Sequence, residues 1–371
     1  MRIALAYRRF GRGAAVPNYC LSLAKAFARG HETWAFTREI EGAPPGVRVV
    51  WFPLTFRSKR VEYSLNTVIN SAILRFLSRG RQHDIVHTQD GELYGGGVVT
   101  AHSLLRVVHR VFRREDPDYV AWMPKNPLLW NESLIYRTQR YRHVIATSEK
   151  MRLALHEEYG VPQEDVTVVP LGIDPEVLRP DPSVRRAFRQ AHGLPDDALV
   201  LLHVSTDFQR KGLATIIRAL PLLSEQPVVA VVGKGNAEPF LKLAAKLGVT
   251  DRIVFLGYQP DIEMVYPGAD AFLFPTKFDF FGYPVLEAMA CGLPPFVSRE
   301  AGIAEVIRDG RNGYLLSDPE NAEELAERLR GSIGGSEMTT VGREARDTAK
   351  RLSVERLAAE TLRVYEGLLR R

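Results

Sequence analysis

The chain has 371 residues, 45% of them hydrophobic and 25% charged, a length beyond one ordinary core that fits two domains of about 150–200 residues each. No segment approaches the ~18–20 consecutive apolar residues of a membrane-spanning helix, and no signal peptide precedes the strand-like Arg2–Tyr7, so a cytoplasmic location is expected. The net charge of +5 divides unevenly: residues 1–150 hold 23 Lys and Arg against 12 Asp and Glu, or +11, and residues 151–371 carry −6. The basic half is expected to meet anionic lipid, a phosphorylated acceptor or nucleic acid. Nucleic acid is the weakest of the three, because no zinc-finger spacing, RNP-like run or helix-turn-helix pattern accompanies the charge. Cys20 and Cys291, the only cysteines, lie in apolar helical patterns and read as reduced core thiols rather than a disulfide or a metal pair.

Strand-like apolar runs at residues 2–7, 33–37, 47–52, 84–88, 97–101 and 142–147 alternate with helical patterns at about 16–29, 66–79, 103–115 and 149–160. Such alternation predicts an α/β fold with a largely parallel sheet and helices on both faces. The pattern stops at Val168-Val-Pro-Leu-Gly-Ile-Asp-Pro175, and a proline-rich stretch to Pro182 reads as the interdomain linker. A second set of strands follows at 199–204 and near 228–232, 252–256, 270–275, 294–298 and 313–316, giving domains 1–172 and 173–353. Gly331-Ser-Ile-Gly-Gly-Ser336 reads as a short flexible connection.

In the first domain, Arg8-Arg-Phe-Gly-Arg-Gly13-Ala14-Ala15 is a glycine-containing loop between a strand and a helix, able to present amides to phosphate. Asn18, early in that helix, is a candidate for acceptor contact. His87 and His102 stand near the carboxyl ends of two strands, where ligands of open α/β sheets bind. After His102, one side of the helix is apolar, and Arg106, His109, Arg110, Arg113 and Arg114 fall on the other. The apolar side is expected in the core, with Arg110 and Arg113 among the groups that meet an anionic acceptor or membrane surface. Phe56-Arg-Ser-Lys-Arg60 adds to the same charge.

The second domain holds the most informative segment, Asp279-Phe-Phe-Gly-Tyr-Pro-Val-Leu-Glu287. A buried-strand run precedes it, so its glycine turn would sit at the carboxyl edge of the sheet. Pro284 suits the first helical position, leaving the amides of Val285, Leu286 and Glu287 aimed at an incoming diphosphate. Glu287, in the first turn, would accept ribose hydroxyls and Asp279 would reach the sugar, with Gly282 and Tyr283 between them. After strand 199–204, Ser205-Thr-Asp-Phe-Gln-Arg210-Lys211-Gly212 puts two adjacent cations at a strand-to-helix turn, suited to the charge of a leaving nucleoside diphosphate. Gly233-Lys-Gly235 reads as a turn lining the nucleotide cleft. No cluster of His and Asp has the spacing of a metal site.

The Asp279–Glu287 segment resembles the signature of glycosyltransferase family 4, in which two glutamates eight residues apart flank a Gly-x-Pro turn; here the first is Asp279. Most of that family has an arginine six residues before the lysine, where this chain has Ser205. The Ser-x-Asp-Phe-x-Arg-Lys-Gly form is similar to the branch containing the lipopolysaccharide-core α-1,3-glucosyltransferases. The likeness continues through Val232–Gly235, Leu247–Gly257 and Asp309–Leu315.

The resemblance implies the GT-B fold, two doubly wound Rossmann-like domains facing across a cleft, with the helix over about 354–371 crossing back to the first. It implies transfer of a hexose-like sugar, most simply from a UDP-sugar, to a hydroxyl of a cell-envelope glycan or lipid-linked acceptor. It further implies retention of configuration, no metal ion and no cofactor. Gly257 and Tyr258 would lie where the family contacts the base, His102 would contact the sugar or acceptor, and Gly13-Ala14 partly matches the family's Gly-Gly. Peripheral contact with the inner membrane face is expected through the basic domain. A GT-B nucleotide-sugar epimerase and an inactive sugar-nucleotide-binding partner are the alternative readings.

Overall fold

The computed structural model describes residues 1–52, 71–72, 74, 83–91, 93, 97–112, 127–332 and 336–370. Most of the expected helix at 66–79, the basic run at 56–60, and Arg113 and Arg114 lie outside them. The chain divides into two compact units, Met1–Leu171 with Val354–Arg371, and Gly172–Ser353.

The first unit contains β1 (Arg2–Ala6), β2 (Arg9–Phe10), β3 (Glu32–Thr37), β4 (Glu39–Ile40), β5 (Val47–Trp51), β6 (Ile85–Gln89), β7 (Val98–Ala101), β8 (His143–Ala146) and β9 (Val166–Val168). Seven of these form a parallel sheet in the order β5-β3-β1-β6-β7-β8-β9, and β2 pairs with β4. Strands β1 and β6 are buried along most of their length, as strands covered on both faces must be. The helix Ala15–Phe27 buries Tyr19, Cys20, Leu23, Ala24 and Phe27, a spacing that gathers them on one side. The helix Val354–Leu369 returns to this unit, with Tyr365 set edge-on to Phe27 at 5.8 Å. Strand β9 and the helix Pro127–Arg137 have no counterpart in the sequence pattern.

The second unit contains β10 (Val200–Val204), β11 (Val228–Val232), β12 (Ile253–Gly257), β13 (Ala271–Phe274), β14 (Pro295–Ser298) and β15 (Tyr314–Leu316). All six are parallel in the order β12-β11-β10-β13-β14-β15, so strand order reverses between β10 and β13. Leu201, Val229, Val231, Leu273 and Phe296 pack in one core with Leu213, Ile216 and Ile217 of the helix Leu213–Ala219. The helix Ala322–Ser332 takes in Gly331 and Ser332 of the expected connection, with the Ser332 hydroxyl donating to the Arg328 carbonyl at 2.7 Å, and residues 333–335 lie outside the described ones.

The amino ends of the two central strands are fixed by one buried guanidinium. Asp181 caps the helix Pro182–Ala191 by accepting the amides of Ser183 and Val184, and Pro182 opens its first turn. Two turns on, fully buried Arg189 donates to the carbonyls of Gly268, Pro195, Asp196 and Ala198 and to Asp270 Oδ2 at 2.8 Å. Asp270 also accepts the Val200 amide at 2.7 Å and Arg185 at 2.6 Å. Removing Arg189 would take its donor from four carbonyls and from Asp270 around a fully buried site, a far larger penalty than losing an exposed ion pair. Arg189→Met is expected to destabilise the protein by about 3–5 kcal/mol in urea denaturation; a loss below about 1 kcal/mol would show that the guanidinium does not anchor the sheet.

Candidate functional site

In the second unit the loops that follow five strands carry the motifs, all at the carboxyl edge of the sheet: 205–212 after β10, 233–235 after β11, Tyr258 after β12, 275–282 after β13 and 299–302 after β14. The loops after β10 and β13 flank the reversal point, where ligands of doubly wound sheets bind. Gly212 makes their approach possible: its φ is +78°, and a Cβ there would come within 1.9 Å of the Pro275 carbonyl oxygen. Arg210 then ties the loops. Its Nε donates to Asp207 Oδ2 at 2.8 Å and its Nη1 to the Phe278 carbonyl at 2.9 Å, while its own carbonyl accepts the Lys277 amide.

Lys211, only 7% exposed, donates through Nζ to Asp279 Oδ2 and lies 4.7 Å from the centre of the Phe274 ring. Burial, aided by the Arg210 guanidinium, pushes the Lys211 ammonium well below the usual lysine range, and Asp207 opposes this. The Asp279 carboxylate in contact favours the charged form as well. Asp279 is thus occupied: Oδ1 accepts the Phe281 amide at 3.1 Å, and its main chain pairs with the loop after β14 through Glu300 and Gly302. Arg210 and Lys211 face Asp207 and Asp279, so the cluster is near neutrality in charge. An anion entering here meets two cations already desolvated and held in place.

The helix expected to open at Pro284 begins one residue earlier, at Tyr283, with Gly282 before it at φ +99°. The Val285 amide is engaged, donating to the Gly282 carbonyl at 2.9 Å, and Glu287 lies beyond the first turn. Leu286 is buried inside this helix. The Glu287 carboxylate accepts the Tyr266 hydroxyl at Oε2, 2.6 Å away, a partner no local spacing reveals. Burial pushes Glu287 up to about 7; the Tyr266 hydrogen bond opposes this and the charge of Glu263 adds to it.

The Gly233 amide donates to the Gly257 carbonyl at 2.8 Å, joining the loops after β11 and β12. Tyr258 is 43% exposed, and Lys234 Nζ sits 4.0 Å from its ring centre. This leaves an aromatic face with an adjoining cation at the sheet edge, a surface suited to stacking.

The first unit places Gly13 and Ala14 in an exposed turn, with Gly13 at φ +82° and Ala14 extended just before the helix Ala15–Phe27. Asn18 is half-buried in the opening turns of that helix. His102 does follow the end of β7; its Nε2 meets Gln89 Oε1 at 2.9 Å, and its amide donates to Asp90 Oδ1 at 2.7 Å. Burial lowers its pKa, with Asp90 opposing. His87 is corrected: it lies inside β6, fully buried, with Nδ1 on the Tyr365 hydroxyl at 2.6 Å and Nε2 on Thr100 Oγ1 at 2.7 Å. Burial pushes it down to about 3, so it is neutral and structural. Arg110, a candidate for acceptor contact, donates through Nη1 to Glu158 at 2.7 Å, and Arg106 shares that carboxylate at 3.4 Å. The helix Leu105–Phe112 that carries them is held from another element: buried Glu132 accepts the amides of Leu105 and Arg106 and the Tyr159 hydroxyl.

A carboxyl whose pKa is higher folded than unfolded gives stability that is lost as pH rises. Relative to Glu287→Gln, the wild type should lose stability between about pH 4.5 and 7, since the unfolded carboxyl ionises first. Unfolding midpoints at pH 4.5, 6 and 8 check this; a difference independent of pH would contradict the buried, raised carboxyl.

Two family models match the chain: Glycosyltransferase Family 4 over residues 16–177 and Glycosyl transferases group 1 over residues 184–340. The chain is 30% identical over 225 residues to lipopolysaccharide glucosyltransferase WaaG of Escherichia coli K12, covering 54% of this chain and 60% of that protein. It is 26% identical over 394 residues to a D-inositol 3-phosphate glycosyltransferase of Xylanimonas cellulosilytica, covering 95% and 91%. The chain spans about three fifths of the length of the first curated relatives it matches. Among solved structures, WaaG superposes with a TM-score of 0.78 at 22% identity, covering 98% of this chain and 100% of that one. Anabaena HepE in complex with UDP and glucose superposes at 0.76 and 19%, covering 99% and 100%. These likenesses show the GT-B fold, and with the two family models matching successive halves of its sequence, the chain belongs to the family 4, group 1 glycosyltransferases.

Proposed function

We propose that the protein is a retaining hexosyltransferase that moves a sugar from a nucleoside diphosphate donor, UDP-linked, to a hydroxyl of a cell-envelope glycan or lipid-linked acceptor. The observation that carries this reading is the set of Arg210, Lys211 and Asp279 on the two loops flanking the sheet reversal, with Glu287 on the helix just beyond. UDP is favoured because the HepE complexes, of the same fold, hold UDP and UDP-glucose. Glu287 takes the ribose hydroxyls, the exposed ring of Tyr258 lies beside the base, and Lys211 and Arg210 take the diphosphate. As the bond from the sugar's anomeric carbon to phosphate breaks, the acceptor oxygen bonds to that carbon on the face the diphosphate leaves. The hydroxyl proton passes to the departing phosphate oxygen. Lys211 and Arg210 stabilise the charge gathered there without giving up a proton of their own. Asp279 then exchanges part of its hold on Lys211 for a sugar hydroxyl, and His102 hydrogen-bonds the sugar or acceptor.

The acceptor is assigned to the basic first unit. A phosphorylated polyol acceptor is the second reading, favoured by the inositol-phosphate relatives. Peripheral contact of the basic first unit with the inner membrane face belongs to this reading; among the described residues no helix is long and apolar enough to span a membrane. Neither metal nor cofactor is assigned a part. Incubation with UDP-, GDP- and ADP-sugars should release nucleoside diphosphate only when acceptor is present, at a rate unchanged by excess EDTA. Epimerised donor without release would replace transfer by isomerisation, and tight binding without turnover would leave only a binding partner.

A further inference from the structure

A small polar device surrounds His102 in the first unit, and neither the family motif nor the sequence pattern points to it. Gln89 ends β6 beside β1, where the order of this sheet reverses. It is 1% exposed, yet only its oxygen is used: Oε1 meets His102 Nε2 at 2.9 Å, while Gln89 Nε2 has no hydrogen-bond partner among the described residues. His102 Nδ1 is likewise buried and unpartnered among them. A buried amide and a buried ring nitrogen both left unmatched are unusual away from a ligand.

The main chain beside them is strained in the same direction. Asp90 adopts φ +49°, a left-handed conformation few residues other than glycine take, and its amide donates to the Thr100 carbonyl at 2.8 Å. That turn brings Asp90 Oδ1 onto the amides of His102 and Ser103, at 2.7 and 3.1 Å, fixing the backbone that carries the ring. From the helix Ala15–Phe27, Tyr19 packs edge-on to His102 with ring centres 4.7 Å apart, and its hydroxyl is held by Thr100 Oγ1 at 3.0 Å. Thr100 in turn bonds His87, and His87 bonds Tyr365. The charged or titratable groups facing the ring are therefore Asp90, His87 and Tyr19; Glu132 stands behind Asp90.

We propose that Gln89 is a positioning residue that holds His102 in the Nε2–H tautomer, so that Nδ1 presents a lone pair and accepts the proton of a sugar or acceptor hydroxyl. A neutral imidazole can offer only one acceptor nitrogen, and the hydrogen bond made by the other nitrogen decides which one. The Gln89 carbonyl takes the Nε2 proton and thereby points the acceptor at substrate, with the Gln89 amide Nε2–H as a second donor toward the same ligand. The effect on turnover rests on the proposed contact of His102 with sugar or acceptor; the tautomer does not.

Long-range ¹H–¹⁵N correlation spectra of protein labelled at histidine nitrogen read the tautomer directly. Wild type should show His102 protonated at Nε2 alone from pH 6 to 8. Gln89→Leu should mix the tautomers and lower kcat/KM about tenfold. Gln89→Glu keeps the acceptor, so it should restore the Nε2–H form and turnover at high pH, while its negative charge moves the acid limb of the pH profile upward. A merely structural Gln89 would change the unfolding midpoint in these variants and leave both tautomer and pH profile alone. Protonation of wild-type His102 at Nδ1, or a tautomer indifferent to Gln89→Leu, overturns the proposal. If the tautomer follows Gln89 while His102→Phe retains full turnover, the positioning stands and the substrate contact of His102 falls.

Discussion

The ion pair between Lys211 and Asp279 is the constraint on which the second unit's site depends. A lysine this far buried is stable only beside a carboxylate, and the two residues stand on different loops that follow adjacent strands. The pair therefore fixes where β10 and β13 release the chain, and Arg210 repeats the tie through Asp207 and the Phe278 carbonyl. Breaking either contact would leave a desolvated charge without its partner, so the loops have little freedom to drift apart. At the other edge of the sheet, Arg189 and Asp270 fix the amino ends of the same strands. The central strands are thus held at both ends by charge, and the edge left for a ligand is a rigid one, as preorganised electrostatic stabilisation requires.

Charge and burial divide the labour within the family frame. Arg210 and Lys211 are balanced by two carboxylates before substrate arrives, which limits the repulsion between adjacent cations and holds their geometry. Glu287 is held differently, as a buried carboxyl whose pKa burial raises and which is anchored by Tyr266. The first unit holds its histidines by opposite means. His87 is closed off with both ring nitrogens bonded, whereas His102 Nδ1 is buried without a hydrogen-bond partner among the described residues.

Much of this was legible in the sequence, for a physical reason. Parallel strands covered on both faces must be short apolar runs, and β10 to β15 lie within a residue or two of where such runs stand. The loop cations and the Gly-x-Pro turn were legible because their meaning depends on neighbours along the chain. Features that depend on distant partners were not. Strand β9 is only three residues, Val166-Thr-Val168, too short to stand out just before the stretch that reads as linker. The helix Pro127–Arg137 hides because Asn131 and Glu132 are buried, breaking its apolar stripe, and Glu132 is polar there to hold the start of another helix. Tyr266 meets Glu287 across 21 positions. The helix starting at Tyr283 instead of Pro284 leaves Glu287 beyond the first turn, and β6 extending to Gln89 puts His87 inside a strand instead of at its end.

Calorimetric titration of UDP into the wild type and into Lys211→Ala and Glu287→Ala, each first shown to be folded, tests most directly whether the β10 and β13 loops form the donor site. Saturable binding to the wild type, weakened at least tenfold in each variant, is the expected result. A loss of one charge-assisted hydrogen bond, about 1.5–3 kcal/mol, corresponds to that change or more. Equal affinity in all three proteins would contradict the assignment and place the nucleotide elsewhere on the chain.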